Sequence, residues 1–139
     1  MTRLKPLLYW LDVTFFLVWA ALLMQYGRRG VRFYGGMFCA GVSFILWMTA
    51  RAQLGRSFSV TAKAKALVTT GLYAKFRNPI YLFGGLAFMG LAIAWGHPIA
   101  VLWVALSFVL QIARSRKEGA VLNQAFGEKY RIYKAKTWF

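Results

Sequence analysis

Two long stretches without a charged side chain constrain this chain more than any other feature of its sequence. Residues 78–113 and 33–50 contain no Lys, Arg, Asp or Glu. A soluble domain of 139 residues needs polar side chains to cover its surface, yet 60% of these residues are hydrophobic and only 15% are charged. The sequence therefore excludes an ordinary soluble globule and predicts one all-α domain that has the lipid bilayer as its solvent.

Four apolar runs predict about four transmembrane helices. The runs cover about residues 6–26, 33–50, 80–95 and 98–113. Only Gly96 and His97 separate the last two runs, and Pro98 cannot continue a preceding helix, so a tight break is expected there. The third and fourth spans are therefore predicted to form a helical hairpin that crosses the membrane twice.

The basic residues predict how this domain is oriented. Eighteen Lys and Arg oppose three acids and give a net charge of +15, which in a soluble protein would suggest a nucleic acid partner. Here the basic residues lie between apolar runs, where a membrane protein meets anionic head groups. Fifteen of them fall on one side of four spans, in the N-terminus, the loop 51–79 and the tail 114–139. The positive-inside rule predicts a multi-pass membrane protein whose termini and loop are cytoplasmic. The high apolar content argues against a nucleic acid partner.

Two local patterns predict a C-terminal helix and close packing between helices. The tail has apolar residues at helical spacing with basic residues between them, which predicts a cytoplasmic amphipathic C-terminal helix that Gly127 ends or kinks. Small residues four positions apart also occur within two of the apolar runs, as Gly36 with Ala40 and as Gly90 with Ala94. These pairs predict close packing between helices.

Asp12 lies within the first apolar run, where a carboxylate is a functional candidate by default. One interpretation makes the chain a small four-span proton-coupled transporter that uses Asp12, although the one-sided basic charge argues against a dual or inverted arrangement. The other interpretation places Asp12 near the cytoplasmic end, paired with a basic neighbour such as Arg3 or Lys5. The only His and Cys, His97 and Cys39, lie at unrelated depths and predict no metal site.

The segment that leads into the third span carries a candidate site. Pro79 stands where proline is tolerated, in the first turn of a helix, and Asn78 is then expected at the N-cap. Backbone N–H groups at such a helix start suit an anion, and Arg77 lies beside them. An arginine at the lipid boundary needs an anionic partner, which is either Glu118 or the carboxylate of a ligand.

Residues 65–81 resemble the signature L-V-T-x-G-x-Y-x-x-x-R-H-P-x-Y of the isoprenylcysteine carboxyl methyltransferase family, whose superfamily also includes phospholipid methyltransferases. The tail resembles that family's second block, in which a basic residue precedes a Glu-Glu pair and F-G-x-x-Y-x-x-Y follows. In this chain the second block runs from Arg114 through Glu118 to Tyr133. The two blocks occur in the family's order with a helical hairpin between them, and the resemblance covers roughly residues 54–139.

The resemblance implies an integral membrane methyltransferase that uses S-adenosylmethionine and takes a lipophilic substrate from the bilayer. In the family, both blocks hold the cofactor at the cytoplasmic mouth of the helices. Glu118 is then expected to bind the ammonium of the methionine moiety, Arg114 and Arg77 to bind substrate, and Arg77 and Asn78 to act in catalysis. Carried over to this chain, the cofactor-binding positions are Lys65, Ala66, Leu67, Val68, Tyr73, Asn78, Pro79, Ile80, Tyr81 and Glu118.

Three positions depart from the family's pattern. Asn78 replaces the histidine of R-H-P, Lys65 aligns with a histidine before L-V-T, and Lys117 replaces the first Glu of the pair. Few bases remain near the expected site, which favours an acceptor that is already a nucleophile, as in carboxyl O-methylation of an isoprenylcysteine-like substrate. Methylation of a phospholipid amine or another small lipophilic acceptor stays open, as does a non-catalytic membrane protein of the same fold.

Overall fold

Helices make up almost all of the chain that the structure, a computed structural model, describes: residues 4–54 and 67–138, with side chains from Trp10 onward. The elements are α1 (Leu4–Tyr26), α2 (Val31–Leu54), a 3₁₀ helix (Gly71–Ala74), α3 (Pro79–Trp95), α4 (Pro98–Phe126) and α5 (Glu128–Lys136). Within these two ranges there is no β-strand, and Phe76 and Trp138 form an isolated parallel bridge. The all-α prediction is confirmed for this part of the chain.

The hairpin between α3 and α4 follows the predicted break. Gly96 ends α3 with φ of 73°, a left-handed conformation that suits glycine, and its N–H donates to the carbonyl of Ala92 at 3.1 Å. Pro98 then begins α4 at the first helical position, where its missing N–H costs no hydrogen bond. The prediction of a helical hairpin at this point is confirmed.

α4 is longer than the fourth apolar run predicts. The helix has 29 residues and continues past Ala113 to Phe126. No proline interrupts this stretch, and Gly119 lies within the helix without ending it. At 1.5 Å per residue it reaches about 43 Å, more than the ~30 Å hydrocarbon core of a bilayer. The first part of the predicted tail helix is therefore a continuation of α4. Gly127, with φ of 52°, ends α4 and precedes α5, as predicted.

Small residues bring α2 and α3 into direct backbone contact. A Cβ added at Gly36 would lie 2.6 Å from the carbonyl oxygen of Gly90 and 2.5 Å from the backbone nitrogen of Ala94. A Cβ added at Gly90 would lie 2.5 Å from the backbone nitrogen of Ala40. The predicted close packing by these small residues is confirmed, and it joins the first half of α2 to the C-terminal half of α3.

An aromatic cluster attaches α1 to this pair. Phe16 of α1 stacks on Phe44 of α2 with 4.7 Å between ring centroids, and it meets Phe88 of α3 edge-on at 5.4 Å. Trp47 of α2 lies 5.8 Å from the same Phe88. Such ring pairs contribute packing and quadrupole energy together, so three helices share one core.

Large apolar side chains cover the outside of the helices. Phe38 on α2 is 75% exposed and Leu102 on α4 is 68% exposed. α2 and α4 are long and apolar enough to cross a membrane, and α3 and the stretch Trp10–Tyr26 of α1 are shorter apolar helices. Apolar surface of this extent is unfavourable in water but suits lipid, so the surface is that of a membrane protein.

Asp12 has a partner on a neighbouring helix. Its carboxylate Oδ2 accepts a hydrogen bond from Nη2 of Arg51 at the end of α2. The Arg51 side chain is buried, and its guanidinium also lies over the ring of Trp47 at 4.8 Å. The expectation that Asp12 pairs with a basic residue is confirmed, but the partner described here comes from α2 and not from the neighbouring sequence.

Removing the Asp12 carboxylate is expected to destabilise the protein. In Asp12→Ala the buried Arg51 loses the carboxylate with which it is paired, and because the Asp12 side chain is 43% exposed the expected cost is about 1–3 kcal/mol, between that of an exposed and that of a fully buried pair. Thermal unfolding in detergent measures this, with the exposed acid Glu128 replaced by Ala as the control. The double change Asp12→Leu with Arg51→Leu should recover most of the loss. A melting temperature for Asp12→Ala equal to that of the control would contradict the expectation.

Candidate active site

A carboxylate and two partners meet where α3 begins and α4 leaves the apolar region. The hydroxyl of Tyr81 donates to Oε1 of Glu118 at 2.5 Å, and Nε of Arg114 lies 3.4 Å from the same oxygen. Arg114 precedes Glu118 by one helical turn, so α4 presents both on one face. The Glu118 side chain keeps 26% of its surface exposed, which leaves the carboxylate accessible to a ligand.

A second polar bond joins the same two helices one turn away. Nδ2 of Asn78 donates to Oγ of the buried Ser115 at 2.6 Å. Asn78 occupies the N-cap position of α3, as predicted, but its side chain makes no capping hydrogen bond. Its amide nitrogen bonds to Ser115 of α4 instead. The first backbone N–H groups of α3 therefore have no side-chain cap. The bonds from Tyr81 to Glu118 and from Asn78 to Ser115 join α3 to α4, and these four side chains form a polar layer between the two helices.

The C-terminal residues fasten the segment that precedes α3. The hydroxyl of Tyr133 on α5 donates to the carbonyl of the buried Tyr73 at 2.8 Å. Burial, and to a lesser extent the neighbouring Tyr130, raises the pKa of Tyr133 to about 12, so this donor stays protonated at physiological pH. The backbone of Trp138 accepts from the N–H of Arg77 at 2.9 Å. α5 thus holds the entry to α3 in place.

Comparison with known families identifies the chain. The phospholipid methyltransferase family matches residues 31–129, more than half of the sequence, from α2 into the start of α5. The chain belongs to this family. A comparison with curated proteins found no match.

The family match and the sequence resemblance cover different parts of the chain. The phospholipid methyltransferase family lies in the same superfamily as the isoprenylcysteine carboxyl methyltransferases, so the predicted membership of that superfamily is confirmed. The matched residues include the first motif block, the hairpin, most of the second block and α2, whereas the resemblance began near residue 54. α2 therefore lies within the part of the chain that the family matches, as does α3, against which it packs closely.

The structure places the predicted site residues in two neighbouring groups. Asn78, Tyr81, Arg114 and Glu118 come together between α3 and α4. Arg77 is half-buried and lines a cleft formed with α4 and α5, and the ion pair of Glu118 in the described residues is with Arg114.

The remaining predicted cofactor positions line the approach to α3 or fall outside the described residues. Leu67 and Val68 are half-buried in the extended segment before the 3₁₀ helix, and Pro79 is fully buried. Ile80 packs against the hydrophobic core. Lys65 and Ala66 lie outside the described residues.

Two contributors to the site carry no sequence motif, and a third belongs to one. Ser115 and Trp138 carry no motif, and their partners Asn78 and Arg77 are distant in sequence. The hydroxyl of Tyr133 has a signal, because it belongs to the Y-x-x-Y spacing of the second block. That spacing puts both tyrosines on one side of α5, where both are buried.

An apolar groove of about 940 Å³ runs between α1 and α4 across α3. Asp12 and Gln111 line one end, and Trp95 and His97 line the other. The wall between them is almost entirely aliphatic and aromatic. Gln111 lies one turn before Arg114 on α4, so the groove ends next to the polar layer. The groove has the size and lining of a site for a lipid chain.

Proposed function

We propose that this membrane methyltransferase transfers a methyl group from S-adenosylmethionine to a lipophilic acceptor at the polar layer between α3 and α4. The observation that carries the proposal is the accessible Glu118 carboxylate, held by Tyr81 and Arg114 at the end of an apolar groove. An acid at a lipid boundary is costly unless it is paired or binds a ligand. Glu118 is paired with Arg114 and Tyr81, and it remains accessible to a ligand.

The residues present fit the charges of the proposed cofactor. Glu118 is the carboxylate for the ammonium of the methionine moiety, and Lys65 is a cation for its carboxylate. The cofactor, when bound, supplies an electrophilic methyl group on a sulfonium. Tyr81 and Asn78 complete the polar wall, and the remaining contacts are apolar or backbone, from Ala66, Leu67, Val68, Tyr73, Pro79 and Ile80.

The protein's own contribution to catalysis is positioning. Methyl transfer is an in-line displacement whose main requirement is proximity and alignment of the two reactants. The bonds from Tyr81 to Glu118 and from Asn78 to Ser115 hold the polar wall rigid while the reactants align. Arg77 and Arg114 bind and orient an anionic group of the acceptor. The groove would exclude water from the lipophilic part of the substrate.

Two acceptor classes are distinguished by their need for a base. A carboxylate acceptor, as in an isoprenylcysteine-like substrate, is already nucleophilic and needs no base, which agrees with a site whose acid, Glu118, is held by Tyr81 and Arg114. A phospholipid amine is the second candidate, and the family to which the chain belongs favours it. An amine must lose a proton, so this candidate requires a base or delivery of the neutral amine.

We further propose that α1 to α4 all cross the bilayer, with both termini and the site on the cytoplasmic side. α4 exceeds the hydrocarbon thickness by its polar end, which carries Arg114, Arg116 and Lys117. The apolar outer surface of the helices supports four spans, and the excess of basic residues on one side supports the orientation.

One experiment tests the reaction and identifies the acceptor. The purified protein in neutral detergent is incubated with methyl-labelled S-adenosylmethionine and a membrane lipid extract, and the labelled product is analysed by mass spectrometry. Base-labile label in a methyl ester would assign a carboxylate acceptor, and stable label in a phospholipid head group would assign an amine. Cofactor binding measured by calorimetry without label transfer to any lipid would favour a non-catalytic protein of the same fold. Absence of both binding and transfer would refute the proposal.

A further inference from the structure

We propose that the cleft between α4, α5 and the segment before α3 is a binding site for a phosphate-type anion. The cleft has a volume of about 410 Å³, within the range of small-molecule sites. Four cationic side chains from three separate elements line it. They are Arg77 before α3, Arg116 on α4, and Arg131 and Lys134 on α5. Convergence from three elements distinguishes this arrangement from a basic stripe along one helix.

None of the described residues that line this cleft carries a carboxylate. Among the described residues, the two acids in ion pairs are Asp12 and Glu118, and their partners are Arg51 and Arg114, which do not line it. The third acid, Glu128, is exposed on α5 and does not line it either. Four like charges around one concave surface repel one another, and the potential they share attracts an anion. The cleft therefore lacks an acidic partner of its own in the part of the chain that is described.

Neutral donors form the inner wall. Ser115 is 8% exposed and Tyr130 is 3% exposed, and both line the cleft. Tyr133 uses its hydroxyl to bind Tyr73, whereas the hydroxyl of Tyr130 makes no hydrogen bond to another described residue. Gly119 leaves room for it, because a Cβ there would lie 2.8 Å from the Tyr130 hydroxyl oxygen. The hydroxyl of Tyr130 is therefore available as a donor to a ligand or to water in the cleft.

The number and type of donors favour a phosphate over a carboxylate. Three guanidinium groups offer planar pairs of N–H donors that match two oxygens of a phosphate, and Lys134 adds a point charge. A carboxylate has two oxygens and one charge, which fewer cations would satisfy. Phosphate of this kind comes either from a lipid head group or from a free phosphate compound in solution, and the cleft lies beyond the apolar part of α4, where both are accessible.

Binding to the purified protein tests this site without any methyl donor, so its outcome is independent of the proposed reaction. Two probes are titrated in neutral detergent at low salt: inorganic phosphate, and phosphatidic acid with short acyl chains. The test variant is Arg131→Gln with Lys134→Gln. The matched control is Lys129→Gln with Lys136→Gln, which removes two charges from exposed positions of the same helix outside the cleft. Melting temperatures establish that both variants fold.

The proposal expects the cleft variant to bind at least about ten-fold more weakly than the control variant, which should stay within about two-fold of the native protein. Preference for the lipid probe would assign the phosphate to a head group, and equal binding of both probes would assign it to a free compound. Equal weakening in the two variants would show a diffuse basic surface and overturn the proposal. Failure of the native protein to bind either probe would overturn it as well.

Discussion

Glu118→Gln is expected to reduce the affinity for S-adenosylmethionine by at least about 30-fold and to abolish methyl transfer. The change keeps the shape of the side chain but removes the charge proposed to hold the cofactor's ammonium, and truncating a desolvated charge pair costs about 2–5 kcal/mol. It also replaces the acceptor of the Tyr81 hydroxyl and the ion-pair partner of Arg114. Calorimetric titration of the cofactor and the labelled-lipid assay measure the two effects.

Glu128→Gln is the matched control for this variant. It makes the same chemical change and the same change in net charge on α5, at an exposed position. Its cofactor affinity should stay within about two-fold of the native value. Tyr81→Phe should fall between the two, because it leaves the carboxylate in place and removes only the hydroxyl that orients it. Native cofactor affinity in Glu118→Gln would refute the assigned site, whatever the acceptor is.

Gly36→Leu is expected to prevent folding of most of the protein. A Cβ at this position would lie within 2.6 Å of backbone atoms of Gly90 and Ala94, and backbone atoms cannot turn aside as a side chain can. Since α2 and α3 would have to separate along their main contact, the cost should exceed the roughly 1–3 kcal/mol that is usual for overpacking. Size-exclusion chromatography of the detergent extract measures the folded fraction, and thermal unfolding measures the stability of what remains.

Gly35→Leu provides the control from the adjacent position of the same helix. A Cβ at Gly35 meets no atom within 4 Å, and the residue is exposed on the outer face of α2. The new side chain would face lipid, so the folded fraction should be unchanged or slightly higher. Similar losses in both variants would mean that any bulky residue in this part of α2 is disruptive, and the backbone contact between Gly36 and α3 would not explain the result.

Local patterns predicted those parts of the fold that depend on neighbouring residues. The Gly96-His97-Pro98 break produced the hairpin, and Gly127 ended α4, because both act on the backbone where they stand. The fourth apolar run, in contrast, does not show where its helix ends. Charge marks where a helix leaves lipid, but it does not end the helix, and α4 continues as a helix through the basic residues.

Contacts between distant residues were beyond the reach of these patterns. Asp12 had basic neighbours in sequence, yet the described partner is Arg51 on another helix. Asn78 was expected to cap α3, but α4 packs so that Oγ of Ser115 lies 2.6 Å from Nδ2 of Asn78 and accepts a hydrogen bond from it. The motif resemblance named both Tyr81 and Glu118 without showing that they bond to each other. Each of these pairs depends on how helices are placed in space, which periodicity in one segment does not encode.

The sequence by itself determined that this chain is an all-α membrane protein of the methyltransferase superfamily, because the apolar runs and motif blocks are local properties. Only the tertiary structure decided which polar groups meet. It joined α3 to α4 through Glu118 and Ser115, and it directed Arg77 toward a basic cleft. The reason is that α4 continues beyond its apolar part and α5 packs against the segment before α3, so residues far apart in sequence meet there.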